Sequence, residues 1–173
     1  IKKIYKVDSK VVYPFIDLER FRNIKIFSGK YFVVIGRPNK YKRFDLAKEA
    51  CKQLNMELKI IAGNLSDKTV VSVLAGCSAL IIPGEEDFGL TSLEAQALGK
   101  PVIVFEKGGA LETVTDKTGI FFEEQTVESL TNAIIKLQTK KINSDDCRKN
   151  AGKFNKIIFM KDFKQTVDSL LYT

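Results

Sequence analysis

The sequence predicts an α/β fold, a single Rossmann-like, doubly wound parallel sheet with helices on both faces. Several short runs of consecutive apolar residues have the composition of strands that are buried on both faces. Segments with apolar residues at helical spacing separate these runs, and such alternation favours a parallel sheet. With 173 residues, of which 45% are hydrophobic, the chain is long enough for one sizeable core and is most simply a single domain.

The chain starts with an entry segment, residues 1–30, that we expect to be irregular. The apolar, β-branched run Tyr31–Ile35 is the first predicted strand, and Gly36 ends it. Residues 43–55 then place apolar side chains at helical spacing, which predicts a helix packed on the sheet. A second strand is expected at 58–62.

The segment Asp67–Gly76 is ambiguous, because it is rich in β-branched residues that favour a strand. Two neighbouring parallel strands, however, need a crossover connection, which is usually a helix. We therefore predict a short helix here, preceded by a turn at Gly63 and Asn64 and followed by a third strand at Ala79–Ile82.

The helix predicted at 89–99 follows the third strand, and Gly99 and Pro101 are typical of its end. Its core-facing stripe is expected to consist of Leu90, Leu93, Ala97 and Leu98. The remaining predicted elements are a strand at Val102–Phe105, a short helix at 110–114, an edge strand at Gly119–Phe122, a helix at 126–138 and a terminal helical segment at 144–173 with one long or broken helix.

Composition excludes several classes of function. The chain has no histidine, which excludes a Ser-His-Asp or Cys-His catalytic site, and its three cysteines are widely spaced, so neither a disulfide framework nor a zinc site is expected. Cys51 and Cys77 are interpreted as small core residues in a reducing cytosol. No signal-peptide pattern and no apolar run of about 20 residues occurs, and we expect a cytoplasmic protein.

The net charge is +7, and lysines are concentrated near both ends of the chain. Such a charge can attract nucleic acid, anionic lipid or phosphorylated small molecules, although lysines on solvated helix faces are the simpler interpretation. No nucleic-acid-binding module is present, and we expect no nucleic-acid partner. The basic terminal helix suggests peripheral contact with the inner face of a membrane, but packing on the domain or on another domain is favoured.

The exit of the first strand carries candidate anion-binding residues. Gly36 lets the backbone turn close to a ligand, and Arg37 and Lys42 flank the start of a helix, whose N-terminus is electropositive. Two cations and a helix dipole suit a pyrophosphate, whereas exposed loop charges are the alternative. Neither GxGxxG nor a P-loop motif is present, so this is not the usual dinucleotide or NTPase site.

Two carboxylates follow the third strand. Glu86 lies in the turn directly after it, where its charge needs solvent or ligand hydroxyls. Glu94 lies about one turn into the next helix and is placed to accept hydrogen bonds from a vicinal diol, the alternative being a solvated helix position. The main-chain N–H groups at two helix starts are expected to be free for an anion. These groups belong to Phe88, Gly89, Leu90, Gly109, Ala110 and Leu111.

From Glu86 onward the sequence reads E-D-F-G-L-x-x-L-E-A-x-A-x-G-K-P-V-I-x-F-x-x-G-G-A-L-E-T-V-x-x-x-T-G. This pattern resembles the signature of the retaining glycosyltransferases of family 4, which have the GT-B fold. Gly36, Arg37 and Lys42 resemble the first strand exit of the donor-binding domain in the same family. The forms E-D-F-G and E-A-Q-A are most similar to mannosyltransferases that use GDP-mannose in polysaccharide assembly.

The resemblance implies a role for each matching residue. Glu86 would contact the donor hexose near the reacting carbon, Glu94 would hold the ribose diol, and Arg37 and Lys42 would neutralise the departing diphosphate. The N–H groups near Phe88 and Gly109 would assist. The donor would be a nucleotide-diphosphate sugar, GDP-mannose, with no prosthetic group and no metal bound by acidic ligands. Retention in such enzymes is ascribed to attack on the same face, and Glu86 is not assigned as a nucleophile.

The sequence also departs from the family. Residues 1–173 match only the C-terminal, donor-binding domain, so we expect the N-terminal acceptor domain in cis or as a separate chain. A helix and strand that usually follow the segment at 58–63 are missing, and Arg43 stands where glycine is common. A non-catalytic module that binds a nucleotide sugar or a protein partner is therefore the alternative. A sugar-nucleotide epimerase is a weaker one, because such enzymes usually need histidine.

Overall fold

The computed structural model describes residues 2–27, 29–63 and 65–171. The strands are β1 Tyr31–Ile35, β2 Glu57–Ile61, β3 Ala79–Ile82, β4 Val102–Phe105 and β5 Gly119–Phe122. The helices are α1 Lys2–Tyr5, α2 Phe44–Gln53, α3 Asp67–Gly76, α4 Leu90–Ala97, α5 Ala110–Thr113, α6 Val127–Thr139, α7 Ser144–Gly152 and α8 Lys156–Leu171, with short 3-10 helices at Leu18–Phe21 and Lys40–Lys42. Asn64 of the predicted turn, and the last two residues of the predicted terminal segment, lie outside the described residues.

The five strands form one parallel sheet in the order β2-β1-β3-β4-β5. This confirms the predicted α/β class and the edge position of β5. The order reverses between β1 and β3, and in open α/β sheets ligands bind beyond the carboxyl ends of the strands at such a point. The loops after β1 and β3 are therefore the part of the fold that matters most for function.

Successive residues of the central strands face opposite sides of the sheet, and each side has its own apolar core. Val33, Leu80 and Val104 face a core completed by α3, α4 and α7. Val34 and Ile81 face the other core, which α2 and α6 complete. Both faces are therefore covered by helices, as in a doubly wound sheet.

Helix α3 confirms the prediction made from topology rather than from residue preference. Ser66 caps its N-terminus, where the side-chain oxygen accepts a hydrogen bond from the N–H of Thr69 at 3.2 Å. Val71 and Leu74 are buried against the sheet. The need to cross from β2 to β3 and the apolar face thus outweigh the strand preference of the valines.

The entry segment is more ordered than predicted, since it contains α1 and the 3-10 helix Leu18–Phe21. Ile16 is buried, and its N–H donates to the carbonyl oxygen of Phe154 at 2.9 Å. Phe21 is buried in the core on the α3 and α4 side. The segment was expected to be irregular because its apolar residues show no period, but single anchoring residues fix it to the domain.

The terminal segment is the broken form of the predicted helix, with α7 and α8 joined at residues 153–155. Cys147 and Ala151 of α7 are buried, whereas no residue of α8 is. Ile157 is 81% exposed and Phe163 is 51% exposed. Over the described part of the chain, no helix has both the length and the apolarity needed to cross a lipid bilayer.

The predicted core-facing stripe of α4 is wrong for one residue, Leu90. Leu93 and Leu98 are buried and Ala97 is partly buried, but Leu90 is 43% exposed. Leu90 is the first residue of α4, and it lies beyond the carboxyl edge of the sheet. Helical spacing identifies the face of a side chain but not whether the sheet extends far enough to cover it.

Candidate functional site

The loops that follow β1 and β3 pack directly against each other. A Cβ atom added to Gly84 would lie 2.3 Å from the carbonyl oxygen of Tyr41, so only glycine permits this approach. The Lys42 ammonium forms an ion pair with the carboxylate of Glu86, and the two side chains are 16% and 19% exposed. The structure therefore brings together a predicted cation and a predicted carboxylate from residues far apart in sequence.

The loop after β4 joins the same arrangement. The N–H of Gly109 donates to the carbonyl oxygen of Glu86 at 2.7 Å, and Gly108 pairs with Glu86 in an isolated bridge. A Cβ atom on Gly109 would lie 2.2 Å from Cα of Phe88. Three neighbouring carboxyl-end loops along the sheet thus converge on Glu86, at the edge where the sequence predicts the crevice.

This convergence overturns part of the expectation for free main-chain donors. Gly109 donates to Glu86, and the N–H of Leu111 donates to the carbonyl oxygen of Gly108 at 3.2 Å. The Gly109 group is used because the glycine turn packs on the neighbouring loop, whereas the Leu111 group bonds within its own turn. Within the described residues, no acceptor is found for the N–H groups of Phe88, Gly89, Leu90 and Ala110.

Gly36 and Arg37 lie at the other side of the crevice. The aliphatic part of Lys42 passes over Gly36, since a Cβ there would be 3.7 Å from Lys42 Cε. Arg37 is exposed, and within the described ranges it takes part in no ion pair. Arg43 adopts a left-handed conformation with φ 49° and ψ 40°, a region that glycine enters at lower steric cost.

The side chain of Phe88 has a structural role that the sequence did not reveal. Its ring stacks on Tyr13 with a centroid separation of 5.6 Å and meets Phe154 edge-on at 5.7 Å. These partners come from the entry segment and from the junction of α7 and α8. The side chain therefore fixes the β3–α4 loop while its main-chain N–H stays available. Only the aromatic residues in the two terminal segments could have signalled this cluster.

Glu94 lies in a different charged group from Glu86. Arg20 Nη1 donates to Glu94 Oε1 at 3.0 Å, and the same guanidinium pairs with Asp67 at the first turn of α3. Burial raises the pKa of Glu94, and the charge of Arg20 opposes that rise. In the part of the chain that the structure describes, no ion pair links this group to Lys42 and Glu86. No ion pair in that described part therefore connects the two carboxylates, and the expectation that Glu86 and Glu94 face one crevice stays a prediction.

The raised pKa of Glu94 predicts a pH dependence of stability. Because the pKa of Glu94 is raised above its ordinary value of 4.5, folding favours the protonated carboxyl group. The protonated group therefore contributes fully to stability below pH 4.5, and this contribution is lost as the pH rises through the raised pKa. We expect the free energy of unfolding to fall over this interval, and Glu94→Gln to remove that fall. Urea unfolding at a series of pH values measures it. Glu124→Gln, at an exposed position, is the control, and equal pH slopes for Glu94→Gln and the unsubstituted chain contradict the prediction.

The model of the family described as "Glycosyl transferases group 1" matches residues 59–154. The chain belongs to this family. The match runs from β2 to the junction of α7 and α8 and so includes Glu86, Glu94 and Gly109. It leaves out β1 and its exit loop with Arg37 and Lys42.

Two curated relatives are named as mannosyltransferases. The alpha-1,3/1,6-mannosyltransferase ALG2 of Dictyostelium discoideum is 31% identical over 150 residues, which is 84% of this chain and 35% of that protein. A GDP-mannose-dependent monoacylated alpha-(1-6)-phosphatidylinositol monomannoside mannosyltransferase of Corynebacterium glutamicum is 36% identical over 83 residues, or 43% of this chain and 22% of that protein. The chain thus spans about a third or less of the length of these relatives.

The fold is shared with solved glycosyltransferases. A glycosyltransferase from Rickettsia africae superposes with a TM-score of 0.83 at 19% sequence identity, over 98% of this chain and 60% of that one. At this identity the likeness concerns the fold, which is one Rossmann-like half of the GT-B fold. It agrees with the doubly wound parallel sheet described above.

Proposed function

We propose that this glycosyltransferase chain binds a nucleotide-diphosphate sugar, and that the hexose of this donor is transferred to an acceptor with retention of configuration. The observation that carries the proposal is the pair of Lys42 and Glu86. These residues meet beyond β1 and β3, where the strand order reverses, and both side chains are largely shielded from water. A cation beside a carboxylate at this position suits a ligand with both phosphate oxygens and hydroxyl groups.

The two sides of the crevice divide the donor between them. Lys42 and Arg37 bind the diphosphate, with further hydrogen bonds from the free N–H groups at Phe88–Leu90 and at Ala110. Gly36 leaves room for the phosphates next to the backbone. Glu86 accepts hydrogen bonds from hexose hydroxyls once the diphosphate has taken over Lys42. In this proposal Gly109 and Leu111 shape the turn instead of donating to the ligand.

Glu94 accepts hydrogen bonds from the ribose diol, and Arg20 positions it. Arg20 contacts Oε1 of Glu94, and among the described residues no donor contacts Oε2. This partly buried carboxylate is therefore held in one orientation with one oxygen available. Sequence patterns did not identify Arg20, because its partners are 47 and 74 residues away.

The chemistry follows from these positions. The bond between the anomeric carbon and the diphosphate oxygen breaks, and its electron pair leaves with the diphosphate. An acceptor hydroxyl oxygen forms the new bond on the same face, and its proton passes to the departing phosphate. Lys42 and Arg37 stabilise the negative charge as it builds on that oxygen, which is where fixed cations lower a barrier most. Glu86 orients the hexose and forms no covalent bond.

GDP-mannose is the proposed donor, and polysaccharide or glycolipid the proposed product. Support comes from the pattern E-D-F-G with E-A-Q-A and from the two relatives that are named as mannosyltransferases. The acceptor would bind to a second domain, in the same polypeptide or in a separate one. The donor crevice would then lie between the two domains.

One observation favours a second candidate, a non-catalytic module that binds a nucleotide sugar or a protein partner. The sheet ends at β2, and only residues 62–66 connect β2 to α3. A base pocket beyond β2 would have little structure to form it. Binding without discrimination between nucleotide bases is what this candidate predicts.

Calorimetric titration with GDP-mannose, UDP-glucose and UDP-N-acetylglucosamine tests the proposal. We expect GDP-mannose to bind most tightly, and Glu94→Gln and Arg37→Ala each to weaken it by about tenfold, the loss of one hydrogen bond to a charged group. Lys52→Ala removes an exposed lysine from α2 and should change nothing. Unchanged affinity in both site variants contradicts the site, and equal affinity for the three donors supports the module.

A further inference from the structure

A second cavity lies at the opposite edge of the sheet from the crevice. Its volume is about 750 Å³, within the range of small-molecule sites. Residues next to the starts of three strands line it, namely Lys30 before β1, Ser78 before β3 and Lys100 before β4. The end of α6 and Ser144 at the start of α7 close it. Because all strands are parallel, this amino edge is remote from Glu86.

The lining is strongly basic. Lys30, Lys100, Lys140 and Lys141 line it, and no aspartate or glutamate is found among the described residues that do so. The ammonium of Lys140 donates to the main-chain carbonyl oxygen of Asp116 at 2.6 Å. The nearby Asp145 carboxylate is paired with Arg148 at 2.9 Å. An uncompensated group of cations attracts anions.

Lys100 is the residue that distinguishes this cavity from a patch of surface lysines. It is only 7% exposed, and its ammonium donates to the carbonyl oxygen of Phe27 at 2.9 Å. Among the described residues it has no carboxylate partner, and burial lowers its pKa. A buried charge without a counter-ion is unfavourable. An anion in the cavity would supply that counter-ion.

The cavity also has an apolar wall. Phe27 is 48% exposed, and Met56, Pro101, Leu137 and Ile142 line the cavity beside it. An inorganic ion would leave these side chains unused, whereas a phosphate attached to a hydrocarbon group would cover them. We propose that this cavity binds an organic phosphate that carries an apolar group, at a site separate from the donor crevice.

Octyl phosphate and inorganic phosphate are the probes, followed by amide chemical shifts in NMR titrations. We expect saturable shifts at Ser78, Gly99 and Ser144 with octyl phosphate, at least about tenfold tighter than with inorganic phosphate. Amides of Glu86 and Gly109 should not shift. Equal affinity for the two probes, or shifts confined to the crevice, overturns the proposal.

Charge reversal at the rim is the second test, because Lys100 is in the core and its replacement endangers folding. Lys140→Glu combined with Lys141→Glu should weaken the binding of octyl phosphate by about tenfold or more, since two cations near the phosphate become anions. Lys40→Glu combined with Lys48→Glu, beside the start of α2 at the carboxyl edge, makes the same change in net charge at residues that do not line the cavity. Equal weakening by both pairs overturns the proposal.

Vesicles distinguish the source of the phosphate. Co-sedimentation with phosphatidylcholine vesicles that contain phosphatidic acid, and its loss in the Lys140 and Lys141 variant, assigns a lipid. Binding of octyl phosphate without co-sedimentation assigns a soluble organic phosphate. Either outcome supports the proposal that the cavity binds an organic phosphate. Titration of the Lys140 and Lys141 variant with GDP-mannose shows whether the donor site is unaffected.

Discussion

Gly109→Ala is expected to lower the free energy of unfolding by about 3 kcal/mol. The added methyl group would meet Cα of Phe88 at 2.2 Å and the carbonyl oxygen of Asp87 at 2.5 Å, and these are main-chain atoms that cannot rotate away. Gly109 has a φ of −66°, so the effect is steric and not one of backbone strain. Urea unfolding followed by circular dichroism measures it.

Gly152→Ala is the matched control, because no atom lies within 4 Å of a Cβ at this helical position. It should be neutral or stabilise the domain by up to about 1 kcal/mol, which is the difference in helix preference between the two residues. A loss for Gly109→Ala no larger than the change for Gly152→Ala would show that the loops after β3 and β4 do not pack as described.

Lys42→Met is expected to weaken GDP-mannose binding by roughly thirty- to a hundredfold, which corresponds to about 2–3 kcal/mol for a hydrogen bond to a charged group. The lysine is only 16% exposed, so solvent screens its interaction with a diphosphate weakly. Lys40→Met is the control, since Lys40 is exposed and belongs to the same 3-10 helix. Calorimetry with both variants measures the difference. If both variants weaken GDP-mannose binding equally, the effect is due to the net charge of the chain and not to the position of Lys42.

Glu86→Gln separates the two parts of the donor in the same experiment. The substitution removes the carboxylate that holds Lys42 in the unliganded chain, so the lysine becomes free for phosphate. GDP, which has no hexose, should then bind at least as tightly as before, while GDP-mannose loses its advantage over GDP. If GDP and GDP-mannose weaken in parallel, Glu86 does not face the hexose.

The sheet could be predicted because all of its strands except β2 are short apolar runs, and their burial leaves little ambiguity. The proximity of Glu86 and Lys42 could be predicted for a related reason, since the carboxyl ends of parallel strands meet at one edge of the sheet. Helix α3 needed an argument from connectivity, because its valines indicate the opposite structure. Local pattern and global topology agree in most of this chain, and where they conflict topology determines the structure.

Long-range contacts account for what the sequence did not reveal. Arg20 pairs with Glu94 across 74 positions, and nothing near either residue indicates the other. The N–H of Gly109 is used by Glu86 because two loops pack together, which no rule about isolated helix starts includes. In α8 the apolar spacing predicts a shared face, but spacing does not say what that face contacts.

The two terminal segments of the domain are tied to each other beside the crevice. Ile16 is hydrogen-bonded to Phe154, and Tyr13 and Phe154 both hold the ring of Phe88. A pull on either segment is therefore transmitted through one aromatic ring to the loop that bears Glu86. Tension or rotation applied from outside the domain would reach the loop of Glu86 mechanically, without any change in the sheet.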